Sequence, residues 1–232
     1  MSAPVLAAHW ARIADRHDPG AYGALERGYG DPARSYHDWS HIADLLTKLD
    51  GMSNLAARPD LIAAAIFWHD SVFITRTADG AVRSDADNVR DSADLFERHA
   101  RFPAAETAAV REMIMATANH LTATPQTIHY SGFAQDMDLF LDLDLSSLGA
   151  PWPVFRRNFE KIRSEYPWID AIEFDRQRLG MLEKFAACSS SVFRLAASRT
   201  LWSAPTQENC LLIRDEILQR LRDFQNNERF NA

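Results

Sequence analysis

Apolar residues recur every three or four positions along almost the whole chain, and no stretch alternates as a half-buried strand does. A chain patterned this way buries its apolar stripes by packing helix against helix, so the expected fold class is all-α. His37, His41, Leu45 and Leu49 follow at four-residue intervals and would share one helix face. A second segment starts after Pro59, turns Leu61, Ile62, Ala65 and Ile66 inward, and reaches His69 and Asp70 within its next turn. Pro103 stands where a third helix can begin, with Val110, Met113, Ile114 and Thr117 as its inner stripe. Near the end, Cys210, Ile213, Ile217, Leu221 and Phe224 form an amphipathic stripe suited to the chain's own core or to a homodimer contact.

Breakers separate these segments: Asp31-Pro32, Gly51, Asp79-Gly80, the Thr-, Pro- and Gly-bearing residues 122–132, and Gly149 through Pro153. With no internal repeat, the 232 residues read as one domain, with a core over about 29–150 and a helical extension over about 151–225. The formal net charge of −7 argues against a protein built to coat a nucleic-acid polymer or an anionic membrane. The densest apolar run, Leu61 to Trp68, is far shorter than the roughly 20 residues that cross a bilayer. Met1 to Trp10 lacks a basic region followed by an apolar run, so no signal peptide is expected and the protein is read as cytoplasmic. Cys188 and Cys210 form no Cys-x-x-Cys pair and are read as reduced core residues.

Chemistry concentrates where histidines and aspartates interrupt apolar faces. His69-Asp70 closes the nearly uncharged stretch Ala63-Ala-Ala-Ile-Phe-Trp68, and His41 lies on an inner stripe. A buried, unpaired carboxylate costs several kcal/mol, so Asp70 needs a cation or several hydrogen bonds. A divalent metal meets that need and also accounts for the imidazole beside it. In Phe140-Leu-Asp-Leu-Asp-Leu145 two more aspartates alternate with leucines. On a helix Asp142 and Asp144 point roughly 200° apart, so one ion takes one of them. The simplest assignment gives Asp144 to the metal and leaves Asp142 as a cap or supporting partner. Taken singly, a histidine on an apolar face is more often a hydrogen-bonded core residue; the joint pattern on three segments favours a metal. Two imidazoles and two carboxylates suit Mn, Fe, Co, Zn or Mg. An ion held there can lower the pKa of water and offset charge on an oxygen under attack, as hydrolysis of a phosphate ester or anhydride requires.

The order His, then His-Asp, then Asp resembles the HD-domain superfamily of metal-dependent phosphohydrolases. More narrowly, Tyr36-His-Asp-Trp-Ser-His-Ile42, Phe67-Trp-His-Asp-Ser-Val-Phe73, Phe140 through Gly149 and Ile162-Arg-Ser-Glu-Tyr166 look like a bacterial group of predicted metal-dependent HD-superfamily phosphohydrolases. The likeness runs from about Tyr29 to the last helix. It implies an HD-like helical bundle with added C-terminal helices, with His41, His69, Asp70 and Asp144 as ligands and a phosphorylated small molecule, often a nucleotide, as substrate. Relatives commonly carry glutamate where this chain has Val89, in Asn88-Val-Arg-Asp-Ser-Ala93. Asp85, Asp87 or Asp91 would then have to manage the proton.

Around this core, Asp70, Asp91 and His120 are the candidate catalytic residues, and His120 could alternatively bind a second ion or simply favour a helix C-terminus. Arg34, His37 and Arg76 are candidates for holding phosphate, against surface or supporting roles. No Gly-rich phosphate loop occurs, so a nucleotide would use the metal pocket. Two other readings stay open: a metal-binding regulatory module that has lost turnover, motivated by Val89, and a di-iron oxygenase on a similar scaffold.

Overall fold

Asp38 decides where the first motif helix begins. Its carboxylate accepts from the Ser40 backbone N–H at 2.7 Å, and helical geometry starts at the next residue in α3 (Trp39–Gly51). His37 therefore lies ahead of the helix, not one turn along the stripe that carries His41. The computed structural model describes residues 3–231. Before α3 come α1 (Ala3–Ile13) and α2 (Ala21–Tyr29); after it come α4 (Pro59–Trp68), α5 (Asp85–His99), α6 (Ala104–Ala116) and α7 (Phe133–Leu145). Then follow α8 (Trp152–Ser164), α9 (Ala171–Ala187), the single-turn α10 (Ser189–Val192) and α11 (Ala196–Asn231). Among the described residues there is no strand, only two isolated bridges, His17 with Ala100 and Arg76 with Val82. The fold is all-α. No helix among these residues is long and apolar enough to cross a membrane.

The chain divides into two compact units, Met1–Asp144 and Leu145–Ala232. In the first, every residue from Leu61 to Trp68 is buried. A helix apolar on all sides must be surrounded, and α1, α3, α5 and α6 each pack on α4. Pro59 supplies its first helical position, where the missing N–H costs nothing. The two amides just ahead are held by Asp136 of α7, fully buried, whose carboxylate accepts from Ala57 N at 2.7 Å and Arg58 N at 2.8 Å. Tyr130 donates its hydroxyl to the same carboxylate at 2.7 Å; burial, reinforced by this bond, pushes the phenol pKa up. His17 shows what a satisfied core histidine looks like here. Its Nδ1 donates to Ile13 O, its Nε2 accepts from Trp68 Nε1, and burial lowers its pKa.

In the second unit Phe155 and Leu182 pack with Cys210, Ile213 and Ile217, so the inner part of the stripe read on the last helix is core. Burial pushes the Cys210 thiol up to about 12, and Cys188 is half-buried; both are free thiols. The expected break at 149–153 is shorter than its Pro content suggests, because α8 already starts at Trp152 with Pro153 in its first turn. Asn209 holds that break by donating to Leu148 O and Ala150 O. Arg163 is structural in this unit: it donates to Tyr166 O and Ile169 O and lies over the Phe174 ring.

Candidate metal centre

Three helix ends converge in the first unit. His41 comes from the first turn of α3, His69 and Asp70 from the end of α4, and Asp144 from the last turn of α7. One donor atom each from His41, His69 and Asp70 lies within 4.8 Å of the other two. Asp144 Oδ1 stands 3.4 Å from both His41 Nε2 and His69 Nε2. Asp70 Oδ2 is 3.0 Å from His69 Nε2 and 3.7 Å from His41 Nε2. The imidazoles are the buried floor, at 4% and 1% side-chain exposure, while Asp70 and Asp144 at 19% and 12% form the side that solvent reaches.

The orientation of the His69 ring is the informative detail. Its Nδ1 is 2.9 Å from the Ile66 carbonyl, which can only accept, so Nδ1 carries a proton. In the neutral ring the Nε2 lone pair then points into the cluster. That atom is buried and makes no hydrogen bond, although Asp70 is close, because the alignment is not that of one. A lone pair facing two carboxylates is repulsive unless a cation sits between them, and both a proton and a metal ion serve. Without metal, the proton wins. Burial works against a charged ring, but the Asp70 and Asp144 carboxylates outweigh it and raise the His69 pKa well above its ordinary value. Burial likewise opposes the two carboxylate charges. The charge on His69 still lowers the Asp70 pKa, and His69 with hydrogen bonds from His120 and His41 holds Asp144 well below the usual carboxylate range. The donor set of two imidazoles and two carboxylates fits a divalent ion of the Mn, Fe, Co, Zn or Mg kind.

His120, in the turn after α6, brings its Nε2 to 2.6 Å from Asp144 Oδ2, so Asp144 joins it to the two floor imidazoles. His37 borders the cluster by a different route than helical spacing. Its ring stacks on Phe73 at 3.9 Å and stands edge-on to His41 at 6.1 Å, with Tyr36 also against His41. Asp142 is buried within α7. Asp91, on α5, does not join the cluster: its carboxylate pairs with Arg83, just ahead of that helix, and its side chain is 45% exposed. Arg76 lies on the hairpin after α4, where its Nε donates to Gly80 O and the expected Asp79-Gly80 turn closes with Gly80 at φ +90°. Arg34 gives both terminal nitrogens to backbone carbonyls, Asp70 O at 2.7 Å and Ser71 O at 3.1 Å.

Two residues to which the sequence alone assigns no role hold the chain leaving the cluster. Asn88 accepts from Ile74 N and donates to Ile74 O, and Ser92 does the same for Val72. Val89 between them is buried. Polar residues at four-residue spacing on the inner face of α5 were the available signal. Neither a known family model nor a curated protein matches this chain.

Proposed function

We propose that this chain is a metal-dependent phosphohydrolase of the HD type, holding a divalent cation between His41, His69, Asp70 and Asp144 and acting on a phosphorylated small molecule, a nucleotide among the candidates. The observation that carries this reading is the His69 ring, whose Nδ1 is spent on Ile66 O and whose buried Nε2 faces two carboxylates without a hydrogen bond. Such an ion, when bound, activates water and offsets charge on the phosphoryl oxygens. The chain's own part follows from the positions of its residues. Asp70 and Asp144 stay ionised and keep the solvent-facing side anionic, which selects a cation before any phosphate. His120 holds a proton on Nε2 against Asp144 Oδ2, within reach of the open side, and is the group to pass it to a leaving oxygen. His37, half-buried beside the cluster, is the candidate donor to a phosphoryl oxygen, since both Arg34 terminal nitrogens are engaged with the backbone.

One observation favours a second reading, a metal-binding module without turnover. Val89 is buried where the group that the sequence resembles commonly carries glutamate; of the carboxylates that could have substituted, Asp85 is exposed and Asp87 and Asp91 pair with Arg90 and Arg83. Phosphate release from a panel of nucleotides and phosphate monoesters, with Mn²⁺ or Co²⁺ added, separates the two. Metal-dependent release by the wild type and none by Asp70→Ala supports the hydrolase. Metal uptake without release from any compound moves the assignment to the binding module.

A further inference from the structure

We propose that Arg34 and Tyr29 are positioning residues that set the direction of the Asp70 carboxylate by holding the chain that carries it. This rests on the reading of His69 and Asp70 as metal ligands. Helix α4 stops at Trp68, and the last carbonyls of any helix lack partners within it. Here each has a dedicated donor. Ile66 O takes His69 Nδ1–H, Phe67 O takes the buried Tyr29 hydroxyl at 2.9 Å, and Trp68 O takes Ser71 N–H at 3.1 Å. Just past the helix, the forked Arg34 guanidinium spans two successive carbonyls, those of Asp70 and Ser71. The fork is itself held, with its central carbon 5.6 Å from the Tyr29 ring centre and 5.9 Å from that of Phe73.

Gly28 closes the same device. A Cβ there would lie 2.4 Å from Ser71 O, a backbone atom that cannot step aside, so the end of α2 meets this turn at bare-backbone distance. Gly28, Tyr29 and Arg34 thus form a template from one short stretch of chain, pressed against the peptides that follow His69. A guanidinium used this way positions the ligand and does not offer its fork to phosphate, unlike the role expected for Arg34 from sequence. Metal–donor distances tolerate only a few tenths of an ångström, so loosening this template changes coordination directly.

The test uses Co²⁺ alone as the probe, read by its visible absorption and by calorimetry on the full chain. Arg34→Lys keeps the charge but loses the fork; Tyr29→Phe removes one hydroxyl and no charge. Each variant should bind Co²⁺ about 10- to 100-fold more weakly than wild type and shift its visible band, at temperatures where circular dichroism shows full helicity. Unchanged affinity and an unchanged band in both variants, with only a lower Tm, would mean that the two residues merely stabilise the fold, and the proposal fails. If Arg34→Lys does not fold, Tyr29→Phe decides alone by the same two readouts. A wild type that takes up no Co²⁺ overturns this inference, and one that also retains none of Mn, Fe, Zn or Mg overturns the metal reading itself.

Discussion

Replacing Asp136 by asparagine perturbs the support of the site without touching any proposed ligand. The two amides ahead of α4 and the Tyr130 hydroxyl all converge on this one buried carboxylate. Asparagine has the same shape but one acceptor oxygen, so its NH₂ group must face one of the backbone N–H groups. The surviving bonds also lose their charge assistance, and the negative charge at the start of α4 disappears. A hydrogen bond to a charged group is worth about 1.5–3 kcal/mol, and a backbone amide left unpaired in the interior costs about 1–3 kcal/mol. The expected loss is about 2–4 kcal/mol, or a Tm lowered by about 5–15 °C for a chain of this size. Urea unfolding followed by far-ultraviolet circular dichroism measures it, with Asp79→Asn in the exposed hairpin turn as a control expected to change stability by no more than about 0.5 kcal/mol. A loss below about 1 kcal/mol for Asp136→Asn would refute the view that this carboxylate anchors α4.

The other expectations concern the cluster and the chain leaving it. If His69 is a metal ligand, a binding ion has to displace its proton, so apparent affinity should tighten as pH rises from about 6 to about 8, with proton release on binding; equal affinity at both ends contradicts the His69 assignment. In metal-free protein the His69 charge stabilises the fold below its ordinary pKa of 6.5 and is lost as pH rises through the raised value, while Asp144 contributes above its ordinary 3.8 and is lost as pH falls through its lowered value. Chelator-treated protein should therefore lose stability toward both acid and alkaline pH, and a flat profile in urea unfolding would count against the coupled cluster. Ser92→Ala removes the one hydroxyl that serves both Val72 N–H and Val72 O and should cost about 1–3 kcal/mol, read by the same unfolding assay. Val89→Glu should raise phosphate release if a missing proton-handling carboxylate limits the rate, and an unchanged rate argues against that idea.

The helical class and the main cluster were legible because both follow from local pattern. The period of Leu45, Leu49, Leu61 and Ile66 marks buried faces, and a histidine-aspartate pair at the end of an all-apolar helix has few cheap explanations. What stayed hidden depends on contacts between distant parts of the chain. Asp136 is 79 residues from Ala57, and nothing near either position announces their bond, although Asp136 does sit on the same buried face as Phe133, Met137 and Phe140. In sequence Arg34 reads either as a surface charge or as a candidate for holding phosphate; only the fold shows that Asp70 O and Ser71 O take its fork. His37 reads as helical in sequence for a local reason. Four-residue spacing carries through a helix start unless the cap is recognised, and Asp38 is that cap.

The most direct test of the central claim is metal content, measured by elemental analysis of folded wild-type protein beside His69→Ala after saturation with Mn, Fe, Co, Zn or Mg and desalting. Near-stoichiometric retention of at least one of these metals is expected for the wild type, and its loss in His69→Ala, with helicity retained. A folded wild type that retains none of them, or a His69→Ala protein that retains metal as the wild type does, would contradict it.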